Sequence, residues 1–230
     1  MSTLLQLRTR ARQRADAVGN NFFTDAEITD LINVGLGELH DMLVNTYEDY
    51  FVSSQTFSLV ADQTTYTLAS MSITALYKLL GLDVAQSGDT FRMKRFSFSD
   101  RNKYKSDSFL YSGRGTSTYR YALRGQSIEI DPSPTSTDTV TVWYVPSFSA
   151  LSADADPVES GVMLNWEEYA VISAAMKMRE KEETSITGLE KDLERITLRI
   201  ETAARDRDAG ESMGITDELT GVGNRIWDHG

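Results

Sequence analysis

Residues 24–68, TDAEITDLINVGLGELHDMLVNTYEDYFVSSQTFSLVADQTTYTL, change their hydrophobic period once, and that change decides the fold class. In the first half Ile28, Leu31, Ile32, Gly35, Leu36, Leu39, Met42 and Leu43 share one helical face to about residue 46. Thr24 followed three residues later by Glu27 has the pattern of a capping box, in which the hydroxyl accepts an orphan backbone N–H and the carboxylate reaches back to the cap. From Tyr50 the period is two: Phe57 and Leu59, a turn at Ala61-Asp62-Gln63, then Tyr66 and Leu68, the pattern of a hairpin of short strands.

Upstream, Leu4, Leu5, Leu7, Ala11, Ala15 and Val18 recur at near-helical spacing with Arg8, Arg10, Arg12 and Arg14 between them, which predicts an amphipathic helix over 3–18 ended by Gly19-Asn20-Asn21. Downstream the β pattern continues. Residues 75–84 are apolar enough for a buried strand, Ser87-Gly88-Asp89 is a turn, and 91–96 alternate again. Ser97 to Tyr104 has room for one short helix, and 106–118, rich in Ser, Thr and Gly, reads as a loop. Tyr119 to Leu123, a turn at Arg124-Gly125-Gln126, and Ser127 to Ile130 form a second hairpin, and Thr139 to Val145 a last strand.

Helix returns after the linker 146–161. Asn165 with Glu168 has the spacing of another cap, and Trp166, Tyr169, Val171, Ile172, Ala174, Ala175 and Met176 are apolar nearly all round, which predicts a central helix. Ile186, Leu189, Leu193, Ile196, Ile200 and Ala203 then follow at spacings of 3, 4, 3, 4 and 3, a heptad seam that predicts an antiparallel helical hairpin. Residues 207–230 hold five Gly and few apolar side chains apart from Ile226-Trp227, so no core is expected there. The expected class is α+β: a helical bundle from 1–48 plus 158–206, an inserted antiparallel β domain over 49–157, and an extended C-terminal tail over 207–230.

Composition removes several function classes. The 230 residues include no Cys, which excludes disulfide scaffolds, Cys-ligated zinc, iron–sulfur clusters and thiol enzymes. No run approaches the roughly 18 apolar residues of a membrane span, and Met1 to Arg14 has no apolar signal-peptide core, so a soluble protein made in the cytoplasm, with no membrane partner, is expected. His40 and His229 have no partner at ligand spacing, and His40 beside Asp41 reads as a partly exposed helix residue. Gly35-x-Gly37 and Gly113-x-Gly115 lack the third glycine of a dinucleotide loop. Asp154, Asp156 and Glu159 lack the spacing of a calcium loop and read as a solvated linker. Nothing selects a carboxylate pair for hydrolysis, so no catalytic residue, metal or cofactor is expected.

Charge is segregated. The chain carries a formal charge of −11, yet residues 89–124 hold nine basic groups against three acidic ones, whereas 151–230 hold nine basic and 18 acidic. A chain with a basic middle and an acidic end can meet copies of itself, or a partner, through opposite charges. Arg92, Lys94, Arg95, Arg101, Lys103 and Lys105 are the candidates for subunit or tail contact. Aromatic rings among these cations match a single-strand nucleic-acid surface, although strand alternation puts half of them in a core. A nucleic-acid-binding accessory protein is therefore the alternative function, and a hydrolase the third.

Several segments in order carry a family resemblance. They are the opening helix with its regularly spaced Arg, Phe23 to Leu39, the hairpin Phe57 to Leu68, Tyr119 to Pro134, Val140 to Tyr144, Asn165 to Lys177, and Arg205-Asp-Arg-Asp-Ala-Gly210. Together, over about 3–215, the chain resembles the head-to-tail connector (adaptor) proteins of tailed bacteriophages. The resemblance implies a non-enzymatic virion protein of the neck: a ring, usually dodecameric, beneath the portal protein, with a platform for tail or nozzle proteins and a lumen that conducts double-stranded DNA. It further implies a C-terminal segment reaching into the portal, for which Arg205, Arg207, Arg225, Ile226 and Trp227 are the candidates. The final Ile-Trp-Asp-His-Gly matches no motif of that family, and the resemblance does not account for the basic middle.

Overall fold

Thr3 starts the first helix with a full capping box: its hydroxyl accepts from the Gln6 N–H, and the Gln6 side chain accepts from the Thr3 N–H. The structure, a computed structural model, describes residues 2–19, 22–86, 88–102, 116–158 and 166–205. Helix α1 (Leu4–Ala15) ends where Asp16 turns left-handed at φ 60°, three residues before the apolar pattern stops. Helix α2 (Asp25–Thr46) is capped by Thr24, whose hydroxyl accepts from the Glu27 N–H at 3.2 Å. Only that half of the expected box forms, because the Glu27 carboxylate accepts from Lys181 Nζ at 2.5 Å instead. Helices α3 (Glu167–Lys181) and α4 (Thr187–Arg205) are joined by residues 182–186.

One buried cluster takes residues from all four helices, among them Leu4, Leu7, Ile28, Leu36, Ala174 and Ile200. Helix α3 is its centre, burying seven consecutive positions from Tyr169 to Ala175, as the apolar run requires. On α4 the seam is Leu189, Leu193, Ile196, Ile200 and Ala204; Ala203 is exposed. The last position departs from the heptad because a straight helix drifts from a 3.5-residue repeat. The returning segment is tied to the helices at two places. Asn33 donates to Leu151 O and accepts from Leu151 N–H, both at 2.9 Å, and Thr3 bridges Pro157.

The middle of the chain forms a seven-stranded curled sheet: β1 (Ser53–Ser58), β2 (Thr65–Thr67), β3 (Leu76–Gln86), β4 (Asp89–Arg95), β5 (Thr116–Arg124), β6 (Ser127–Asp131) and β7 (Thr139–Pro146). Their order is β1-β7-β3-β4-β5-β6-β2. Inward residues such as Leu82, Val84, Met93, Ile128, Ile130, Val140 and Val142 build a second buried cluster. Turns at Gly88 (φ 90°) and Gly125 (φ 57°) connect β3 to β4 and β5 to β6, where left-handed backbone favours glycine.

Two features depart from the sequence expectation. First, β1 and β2 are not a hairpin: β1 pairs with β7 and β2 with β6, at opposite edges of the sheet. The link 59–64 crosses between the edges, held by Leu59 N–H to Asp138 O, Asp62 N–H to Pro134 O, and Val60 N–H to the Tyr66 hydroxyl at 3.0 Å. Second, β4 and β5 are parallel within an otherwise antiparallel sheet. The connection from Phe96 to Gly115 is long enough for the crossover that a parallel pair needs, of a dozen residues or more. Within it, Phe98–Asp100 is a single 3-10 turn rather than the longer helix expected to Tyr104. The predicted Asn165 cap, residues 106–115 of the expected loop and the tail 207–230 lie outside the described residues, and 116–118, expected in that loop, instead begin β5.

Candidate functional site

The arginines of α1 fall at i, i+4 intervals in two sets, and each set grips one carboxylate. Arg8 and Arg12 face Asp25, at 3.8 and 3.0 Å, while Arg10 and Arg14 both pair with Glu168, Arg14 at 2.6 Å. Arg8 is itself buried and also pairs with Asp154; Arg10 adds Glu167 at 2.7 Å. Burial opposes the charge on Arg10, but the hydrogen bonds it donates to Glu167 and Glu168 hold its pKa above the ordinary value. The hydrogen bond from Arg12, with the nearby charge of Arg8, lowers the Asp25 pKa. The i, i+4 spacing of these arginines was the signal for this network in the sequence. It shows that part of the acidic C-terminal half is neutralised within the chain.

The acidic loop is likewise committed to structure. The Asp156 carboxylate accepts from the backbone N–H groups of Ser152 and Ala153, both at 2.7 Å, and these bonds lower its pKa. Among the described residues no group of three or more His, Asp or Glu side chains is arranged to hold a metal. His40 is buried, contrary to the expectation of partial exposure: it stacks on Phe51 at 4.7 Å between ring centroids and meets Tyr77 edge-on. Its helix face turns toward the start of the sheet, where two aromatic rings close over it.

The basic middle is distributed over the outside of β4 and the turn after it. Arg92, Lys94, Arg95 and Arg101 are exposed and make no ion pair among the described residues; Lys103 and Lys105 lie outside them. Strand alternation sends Tyr119 and Tyr121 into the sheet's buried cluster, with Phe91 packed against it, and Phe96, just after β4, is buried as well. Phe98 is the exception, 69% exposed with the Arg101 guanidinium 4.6 Å from its ring centre. Of the portal candidates, Arg205 closes α4, and Arg207, Arg225, Ile226 and Trp227 lie outside the described residues.

A groove of about 430 Å³ opens on the outer face of the sheet where β3, β4 and β7 meet the chain leading into β1. Val52, Leu80 and Trp143 form its apolar walls, and Asp49, Asp83 and Arg92 its polar rim. Asp83 and Arg92 are cross-strand partners, and the Trp143 indole N–H donates to Asp83 at 2.7 Å, which fixes the ring upright. No helix among the described residues is long and apolar enough to cross a membrane.

A family model described as SU10 adaptor protein matches residues 2–210. No curated protein matches the chain.

Proposed function

Because the chain belongs to the SU10 adaptor protein family, a family of phage head-to-tail adaptors, we propose that it is a non-enzymatic neck subunit that forms a ring beneath the portal. In this reading the ring conducts double-stranded DNA and presents the attachment platform for tail or nozzle proteins. The family match over 2–210 is the observation that carries it.

Charge supports the ring. Exposed Arg92, Lys94, Arg95 and Arg101 have no ion-pair partner among the described residues, and the same holds for exposed Glu180, Glu183, Glu190 and Glu194 on and around α3 and α4. Opposite surfaces on one protomer are what head-to-tail packing with closure needs. The four helices (1–48 with 158–206) then act as one unit, the inserted strands (49–157) as the second, and the tail from 207 enters the portal through Arg207, Arg225, Ile226 and Trp227, with Arg205 at its root. Arg92, Lys94, Arg95, Arg101, Lys103 and Lys105 meet the next subunit or a tail protein.

Native mass spectrometry of the protein alone, and mixed with the portal ring of the same virus, tests this. A stoichiometric ring bound to portal is expected; no association across a range of salt and concentration overturns it. The exposed Phe98–Arg101 pair favours one second reading, a nucleic-acid-binding accessory protein, which requires salt-sensitive binding of DNA by the isolated monomer.

A further inference from the structure

The outer-face groove has the makings of a built docking site. Gly81, opposite Trp143 in the β3–β7 register, leaves its floor open: a Cβ there would meet nothing within 4 Å. An apolar floor with carboxylates and a guanidinium on its rim fits a short peptide that carries a large apolar side chain between a cation and an anion. The sequence Asn224-Arg-Ile-Trp-Asp228 has that order of groups, and it lies in the 25 residues that follow Arg205.

We propose that Asn224–Asp228 of the same chain occupies this groove in the free protein, with Ile226 and Trp227 on Val52, Leu80 and Trp143. Arg225 then faces Asp49 and Asp83, and Asp228 faces Arg92. Reach permits it. Helix α4 runs back beside the start of α3, where the Arg199 guanidinium lies 5.1 Å from the centre of the Trp166 ring. Helix α2 runs antiparallel to α3, as Glu27–Lys181 and Glu38–Ser173 show, so its last turn lies at that same end. Asp49 and Val52 follow α2 by three and six residues. A 25-residue segment spans up to about 80 Å when extended, and a tether raises the effective concentration to about the millimolar range. The seat concerns the chain before it meets a partner and does not rest on the portal reading; a tail released to the portal would leave the groove empty.

Because the chain has no cysteine, a disulfide introduced into the full-length protein reports one proximity alone. The test compares Val52→Cys with Ile226→Cys against a control of Leu5→Cys with Ile226→Cys under mild oxidant, after melting curves of the reduced proteins establish that both fold. Leu5 is half exposed and also lies toward the start of α3, where the Ser2 hydroxyl donates to Glu167. The Val52 pair is expected to close within one chain, independently of protein concentration and about tenfold faster than the control, and adding Asp83→Arg is expected to slow it. Equal rates for the two pairs overturn the proposal, and so does linkage formed only between chains, which would make a second copy the source of the occupant.

Discussion

A Cβ atom placed on Gly35 of α2 would stand 2.9 Å from the Cα of Ala170 in α3, and 3.2 Å from its Cβ and carbonyl oxygen. The two backbones approach too closely for any side chain there. Gly35→Ala gains about 1 kcal/mol in helix propensity but forces overpacking that costs about 1–3 kcal/mol, so a net loss is expected. Gly37→Ala, whose nearest neighbour is Phe148 Cδ1 at 4.0 Å, keeps the propensity gain. Urea denaturation of the two variants should give shifts of opposite sign; equal shifts would mean that the helices part without cost.

The Arg10–Glu168 pair sits at the joint between α1 and α3, with both side chains largely covered. A double-mutant cycle with Arg10→Ala and Glu168→Ala is expected to return a coupling of about 1–3 kcal/mol. The same cycle on Arg195 and Asp192, an i, i+3 pair with Arg195 81% exposed, should return less than about 0.5 kcal/mol. Denaturation at low and high salt separates them further, since screening weakens the exposed pair first.

Acid sensitivity follows from Asp25 and Asp156. Both have folded pKa values lowered, by Arg12 and Arg8 in the first case and by the Ala153 and Ser152 N–H groups in the second. Between the folded value and the unfolded value of about 3.9 the unfolded chain binds more protons, so stability rises with pH across that window. The contribution is complete above about pH 5 and is lost as pH falls through the folded values. Asp25→Asn should lower stability at pH 7 by less than about 1 kcal/mol and flatten the acid limb of a melting-temperature profile. An unchanged profile would count against the pairing.

Reversing Arg92, Lys94 and Arg95 to Glu separates folding from assembly. These exposed side chains make no ion pair among the described residues, so each change should move stability by no more than about 0.5 kcal/mol. Ring formation on the portal, followed by native mass spectrometry, is expected to fail. A triple variant that melts normally and still assembles would remove the basic strand from the subunit contact.

Local order was legible in the sequence because periodicity and turn chemistry act over a few residues. The single change of period within 24–68, the Thr24 cap and the left-handed glycines at 88 and 125 determined the α+β class and most element bounds. The apolar run from Tyr169 likewise determined that α3 is enclosed, since a helix without a polar face has no stable place on a surface.

Tertiary structure alone decided what each buried face meets. Periodicity says that Phe57 and Tyr66 point inward, but not that β1 joins β7 and β2 joins β6, because strand pairing depends on how the whole sheet curls and closes. The parallel β4–β5 pair, the burial of His40 beneath Phe51, and the choice of Asp25 and Glu168 as partners of the α1 arginines have the same origin. Each joins residues of different elements, and their proximity exists only once those elements have packed.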